Sequence, residues 1–236
     1  MLTARLITQT GIFQAQTKTT IVDLRIPPKL RVGIVKSYDT TLPDALQTLG
    51  IEHSLLGGKD LETGNLDQFQ TILIDIRGYL ERPDLRYSNQ RLLKYVSDGG
   101  HLVVFYHKSF DWNDADPPYA PYPLHLSGAR VTEENAKVQL LKPSHPLFTT
   151  PNRILSSDWE GWIQERGLYF PDTYDSRYEE LISMADTGSE PLKGGILWAK
   201  YGKGTYVYTS LTWYRQLRAL VPGAYRLFAN LITPSR

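Results

Sequence analysis

Four short strand-like segments constrain this chain more than any other feature: Arg31–Val35 (RVGIV), Ile51–Leu56 (IEHSLL), Thr71–Ile76 (TILIDI) and His101–Tyr106 (HLVVFY). RVGIV is a continuous apolar run of the kind a strand covered on both faces shows, and the other three read as the strands that follow it. Segments of helical period lie among them. Leu42, Ala45, Leu46 and Leu49 recur at helix spacing, and Gly50 stands where a left-handed C-terminal cap belongs. Ser88 is placed to cap a helix carrying Leu92, Leu93 and Val96, closed by Gly99-Gly100. Strand–helix alternation of this kind predicts a parallel sheet with right-handed crossovers.

The flanks differ from this core. In residues 1–28, Leu6, Ile7, Ile12, Phe13, Ile21, Val22 and Ile26 sit among Thr and Gln, which predicts short strands ended by Pro27-Pro28. Such a segment cannot bury a core alone. It is either an extra strand on the main sheet or the tail of an upstream β domain. Residues 107–129, rich in Pro, Asp and Tyr, read as a long surface loop. KVQLL (137–141) reads as a further strand. ILWAK and TYVYTSL flank a turn at Gly202-Lys203 and predict a β-hairpin. Tyr225, Phe228, Leu231 and Ile232 after Pro222-Gly223 predict a closing helix.

Several chemistries fall away on inspection. The 236 residues include no cysteine, which removes thiolate nucleophiles, cysteine-bound metal and disulfides together. Net charge is +1 with the two signs mixed, so no basic stripe for nucleic acid is expected. No apolar run approaches the ~20 residues that span a bilayer. Gly202-Lys203-Gly204 is followed by Val207 and a strand, not by the third glycine and helix of a dinucleotide site. In DWNDAD (111–116), Ala115 and Asp116 occupy positions where a calcium loop needs a ligand and a glycine. His101 and His107 bracket one strand, about 20 Å apart, too far to share a metal ion. No cofactor or metal is expected.

The runs YVSDGGHLVV, PYPLHLSGARVTEENAKVQLLKPSHPLFTTPNRI, DWEGWIQERGLYFP, PLKGGILWAKYGKGTYVYTSL and VPGAYRLFANLI resemble the C-terminal domain of large PIG-L family (LmbE-like) deacetylases, from about Val22 to the end. That resemblance implies an α/β fold of the flavodoxin-like, class I glutamine-amidotransferase-like type, with residues 29–236 as the α/β domain. Family members carry zinc on a His-Pro-Asp-Asp motif in a separate N-terminal domain that deacetylates N-acetyl sugars. His145-Pro146-Leu147 is not that motif, so the activity does not transfer. The amidotransferase comparison fails as well. Tyr106 falls near the nucleophile position without a flanking glycine, and no histidine follows His145. The start MLTARLITQTG lacks the apolar stretch of a secretion signal. A complete gene product is then expected in the cytoplasm, and a piece of a larger secreted deacetylase outside it.

The resulting expectation is a non-catalytic accessory domain that either scaffolds a partner, such as a PIG-L-type deacetylase domain, or binds a sugar. The alternative is an enzyme acting on a carbohydrate at the carboxyl edge of the sheet, where open α/β sheets place ligands. In both cases the candidate groove comprises Asp75, Arg77, Tyr79, Tyr106 and His107 at strand ends. The segment Asp158, Trp159, Trp162, Glu165, Arg166 and Tyr169 is expected to cover it. A competing expectation is that Trp159 and Trp162 plug the edge of the sheet themselves.

Overall fold

The computed structural model describes residues 2–17 and 21–234. Residue 1, residues 18–20 and residues 235–236, and whatever the 1–28 expectation placed on them, lie outside the described residues. In chain order the elements are β1 (Leu2–Thr8), β2 (Gly11–Thr17), β3 (Arg31–Val35), α1 (Thr41–Thr48), β4 (Glu52–Leu55), α2 (Gly58–Thr63), β5 (Thr71–Ile74), α3 (Gly78–Glu81), α4 (Pro83–Asp98) and β6 (His101–Phe105). They continue with α5 (Ser109–Trp112), β7 (Leu124–Leu126), β8 (Arg130–Val131), β9 (Gln139–Leu140), α6 (Pro146–Thr149), β10 (Gly167–Leu168), β11 (Pro171–Tyr174), β12 (Glu179–Glu180) and β13 (Ile182–Ser183). β14 (Ile196–Tyr201), β15 (Gly204–Thr209), α7 (Trp213–Arg218) and α8 (Pro222–Leu231) close the chain.

The central sheet has the order β12-β14-β15-β6-β5-β3-β4. β15, β6, β5, β3 and β4 run parallel, and β14 and β12 extend the sheet antiparallel. Strand residues alternate between two apolar layers, as a pleat requires. Val103, Phe105 and Val207 pack with Leu46 of α1 and Phe228 of α8 on one face. Leu102, Val104 and Tyr206 pack with Leu61 of α2 and Leu92 of α4 on the other. The chain leaves β3 toward β4 through α1, then returns past β3 to β5, and the return path lies on the opposite face. The strand order therefore reverses between β3 and β5. Loops that follow these two strands diverge and open a crevice at their carboxyl ends.

The C-terminal hairpin forms as the spacing predicts, with Gly202 at φ +60 in its turn and Lys203 donating its N–H to the Ser97 carbonyl at 2.9 Å. Gly50 takes φ +66 after α1. Four expectations change. Ser88 lies inside α4, not at its start, because Pro83 with its fixed φ opens the helix at the first position, just after the extended Arg82. Residues 107–129 are not a plain surface loop, since His107, Asp111, Trp112, Ala120 and Leu126 are buried. KVQLL supplies only Gln139–Leu140 as strand, and it pairs with β13 outside the central sheet. The N-terminal segment does not join the main sheet either. β1 and β2 form a separate two-stranded hairpin, registered Leu6↔Phe13 and Ile7↔Ile12. Residues 21–26 carry no regular secondary structure. They already belong to the α/β body, because Leu24 and Ile26 pack on its core and Arg25 exchanges two backbone hydrogen bonds with the Asn152 amide at 2.7 and 2.9 Å. Among the described residues no helix is long and apolar enough to cross a membrane.

Candidate functional site at the carboxyl edge

Asp75 follows β5 and is 1% exposed. Its Oδ2 accepts the Ser37 amide at 3.0 Å and the Ser37 hydroxyl at 2.8 Å, and its Oδ1 accepts the Ile76 amide at 2.9 Å. No cation pairs with it among the described residues. Burial raises its pKa to about 6 against the opposing pull of those hydrogen bonds.

Arg77, two residues on, adopts the left-handed conformation at φ 51, ψ 25. A non-glycine residue there is uncommon and carries strain. Two bonds hold it. Its amide donates to the Tyr106 carbonyl at 3.1 Å, and its guanidinium forks onto Asp111 at 2.7 and 3.1 Å. Its charge also lies 5.7 Å from the Phe110 ring centre. Tyr169 is a second left-handed residue at this place, at φ 53; Lys29, Gln164 and Leu220 share that conformation elsewhere. Its ring lies parallel to Tyr106, with centres 6.0 Å apart and an interplanar angle of 3°. Tyr214 meets Tyr106 from another side at 6.1 Å. The Lys108 ammonium lies 5.4 Å from the Phe110 ring centre and 5.9 Å from that of Tyr169. Tyr38 and Phe110 are 57% and 65% exposed. The rim is thus a set of open or half-open rings, Tyr38, Phe110 and Tyr169, set with cations over a Tyr106 that is itself only 6% exposed, at the point where the strand order reverses.

Of the residues expected from sequence, Asp75, Arg77, Tyr106 and Tyr169 meet at this rim. Glu165 reaches it indirectly, through Arg215, which bonds Glu165 at 2.7 Å and the Tyr214 hydroxyl at 2.8 Å. The others do not line a groove. His107 is fully buried; its Nδ1–H donates to the Phe105 carbonyl at 2.8 Å, and its Nε2 accepts the Tyr79 amide at 3.1 Å. With both nitrogens engaged and burial lowering its pKa to about 4, it is a neutral staple between β6 and α3, not a partner for Asp75 in acid–base chemistry. Tyr79 is buried behind it, stacked on Tyr119 at 3.9 Å with its hydroxyl donating to Asn89 at 2.6 Å.

The segment expected as a cover is also core for most of its length. Trp159 and Trp162 stack at 5.3 Å and are 5% and 2% exposed, and Trp162 meets Trp213 edge-on at 6.1 Å. Asp158 closes a 3-10 turn by accepting the Leu155 amide at 2.8 Å and pairs with Arg226 at 3.0 Å. The backbone at Gly223 comes so close that any side chain there would meet the Asp158 carbonyl at 1.9 Å. Arg166, 3% exposed, donates to the carbonyls of Trp159 and Ala136 at 2.5 and 3.2 Å. Burial without a carboxylate lowers its pKa to about 10. Apolar area and satisfied donors favour this placement over exposure as a lid.

Sequence reasoning missed Tyr38, Lys108, Phe110, Tyr214 and Arg215. The first three were findable, because they follow directly on β3 and β6. Tyr214 and Arg215 come from α7, after the last parallel strand, and no local signal marks them. A separate cleft of about 460 Å³ lies between α4 and the proline-rich 113–125 loop. Its histidine, His125, is already engaged by Asn113 at 2.9 Å and Asp172 at 2.7 Å. Among the described residues no group of three His, Asp or Glu side chains is placed to hold a metal ion.

No family model and no curated protein matches the chain. Solved structures do. A cytoplasmic protein of Salmonella typhimurium aligns with TM-score 0.56 and 12% identity over 88% of this chain and 100% of its own. Another, from Salmonella typhimurium LT2, aligns with TM-score 0.51 and 12% identity over 98% and 95%. A cold-adapted β-galactosidase from Rahnella sp. R3 aligns with TM-score 0.51 and 14% identity over 87% of this chain but 31% of the enzyme. At these identities the likeness shows the fold alone: an α/β domain with a mostly parallel central sheet and helices on both faces.

Proposed function

We propose that this chain is a non-catalytic accessory domain of a PIG-L-type N-acetyl-sugar deacetylase system, that it binds a sugar at the carboxyl-edge rim, and that it has no glutaminase activity. The strand order β4-β3-β5-β6-β15 corresponds to the flavodoxin-like order, and we read the fold as flavodoxin-like and class I glutamine-amidotransferase-like on that ground. The observation that carries the sugar reading is the stack of Tyr106 and strained Tyr169 beside Lys108, with Tyr38 and Phe110 open to solvent. Aromatic faces held rigid next to polar donors suit the alternating apolar and hydroxyl-bearing surface of a pyranose. Strain kept at two such positions supports a role beyond folding.

A second reading rests on a different observation. Ile7, Ile12 and Phe13 of the N-terminal hairpin are 74%, 68% and 59% exposed. A lone hairpin of this kind gains stability by packing on another surface, and we propose a partner protein domain, the deacetylase itself, as that surface.

Calorimetric titration with N-acetylglucosamine tests the sugar reading. Saturable heat with wild type, lost in Tyr169→Ala while the variant still unfolds in a single cooperative transition, is the expected result. No heat from wild type with this or any other sugar tried leaves only the hairpin reading. Ammonia release from glutamine is expected at background; release that saturates and survives repurification would overturn the non-catalytic assignment.

A further inference from the structure

The rim has spare cationic donors and no spare carboxylate; its other free polar atoms are phenol hydroxyls, which both give and take a hydrogen bond. Each of its carboxylates is already taken. Asp111 is forked by Arg77, Glu165 is held by Arg215, and Asp39 accepts Arg218 at 2.9 Å and the Thr41 amide at 2.7 Å. Asp75 is closed off by Ser37 and the Ile76 amide and is 1% exposed. The donors are different. Among the described residues Lys108 has no carboxylate partner; its ammonium has only the two ring faces of Phe110 and Tyr169. The Lys36 ammonium has one bond, to the Ser37 carbonyl at 3.2 Å. The hydroxyls of Tyr106 and Tyr169 bond no other described residue.

A neutral sugar is usually gripped by acceptors and donors together, because each hydroxyl both gives and takes a hydrogen bond. A rim that offers mainly ammonium and phenol protons is matched by a ligand that brings its own acceptors and a negative charge. Lys108 is well placed for this. The aromatic faces orient the ammonium without neutralising it, and the flanking Arg77 charge is already balanced by Asp111. The chain's near-neutral total charge of +1 makes this a local property rather than a consequence of overall composition.

We infer that the ligand of this rim is a sugar bearing an anionic group, a carboxylate or a phosphate, with Lys108 as its principal counter-charge. This rests on the sugar-binding reading above and narrows it. Electrostatics also predicts the salt response, since a half-exposed ion pair weakens as ionic strength rises.

The experiment compares glucuronate, glucose 1-phosphate and glucose on the whole chain by calorimetry and by ligand-observed NMR at low salt. At least one anionic sugar is expected to bind about tenfold or more tighter than glucose, the advantage of one charged hydrogen bond. Lys108→Gln is expected to erase that margin and Lys108→Arg to keep it, with melting temperatures of both variants near wild type. If the anions bind no tighter than glucose, the inference falls while the rim survives as a neutral-sugar site. If the margin persists in Lys108→Gln, the anion sits elsewhere and the inference falls. If none of the three binds, and N-acetylglucosamine gives no heat, the inference and the sugar reading fall together.

Discussion

His107 and Lys108 are neighbours in the chain and belong to different parts of the molecule. His107 is 0% exposed, has both ring nitrogens bonded, and sits in a layer with Tyr79 and Trp112. Lys108 is half-buried, has no carboxylate partner among the described residues, and sits between two aromatic rings at the surface. The same contrast separates Trp162 from Tyr169 at the two ends of one segment. The difference teaches how to sort polar and aromatic residues near a strand end. Side chains whose hydrogen-bonding capacity is used up within the chain hold the fold, and those with capacity left over are the ones available to a ligand.

The widest test of this division is Trp162→Ala. Trp162 is 2% exposed, stacked on Trp159 and bonded to the Asp158 carbonyl at 3.2 Å. Its removal is expected to cost about 3–5 kcal/mol in denaturant unfolding, as for other buried aromatics. A loss below about 1 kcal/mol would move the segment from the inner layer to the rim.

Asp75 lies on the boundary between the two, and its pH behaviour sharpens the comparison. Its pKa is raised from 3.8 to about 6. The folded state therefore holds its proton more tightly than the unfolded chain. This contribution to stability is largest at low pH and declines as pH rises from about 4 to 6, by on the order of 3 kcal/mol. Asp75→Asn carries no such cost. Its stability relative to wild type is expected to climb between pH 4 and pH 7 and then level off. Comparing the two proteins at each pH cancels the opposite contribution of His101 and His107, whose lowered pKa values of about 4 remove stability as pH falls below 6.5. A flat difference would mean that Asp75 is solvated rather than buried beneath the rim.

The smallest effect concerns strain. Tyr169 holds φ 53, which glycine adopts freely and alanine does not. Tyr169→Gly is expected to be more stable than Tyr169→Ala by about 1 kcal/mol in equilibrium unfolding. Both variants lose the ring, so the difference reports the backbone alone. Equal stabilities would remove strain from the case for this site.

Much of the fold was legible because its signals are local. The segments at 31–35, 51–56, 71–76 and 101–106 read as strands and are strands β3, β4, β5 and β6, three of them buried and β4 an exposed edge. Gly202-Lys203 read as a turn, and Gly202 holds φ +60. Asp75 and Arg77 were placed at a strand end by counting. The errors fell where distant parts of the chain meet. Ser88 reads as a cap by residue type, but Pro83 upstream starts the helix first. Trp159 and Trp162 resemble an exposed aromatic cover until α7 and α8, more than fifty residues later in sequence, supply Trp213 and Phe228 to bury them.

Local order in the chain set the strand–helix alternation, the absence of any cysteine chemistry and the residues at the ends of β5 and β6, because each follows from composition or from neighbours in the chain. Tertiary packing then selected among those residues: Tyr106 is covered to 6% exposure, while Lys108 next to His107 stays half-buried. Tyr106 meets Tyr169 and Tyr214 from segments far apart in sequence, and His107 is closed off by a backbone amide from the preceding strand–helix turn. Burial and spare hydrogen-bonding capacity depend on what arrives from elsewhere in the chain, and local spacing carries no record of it.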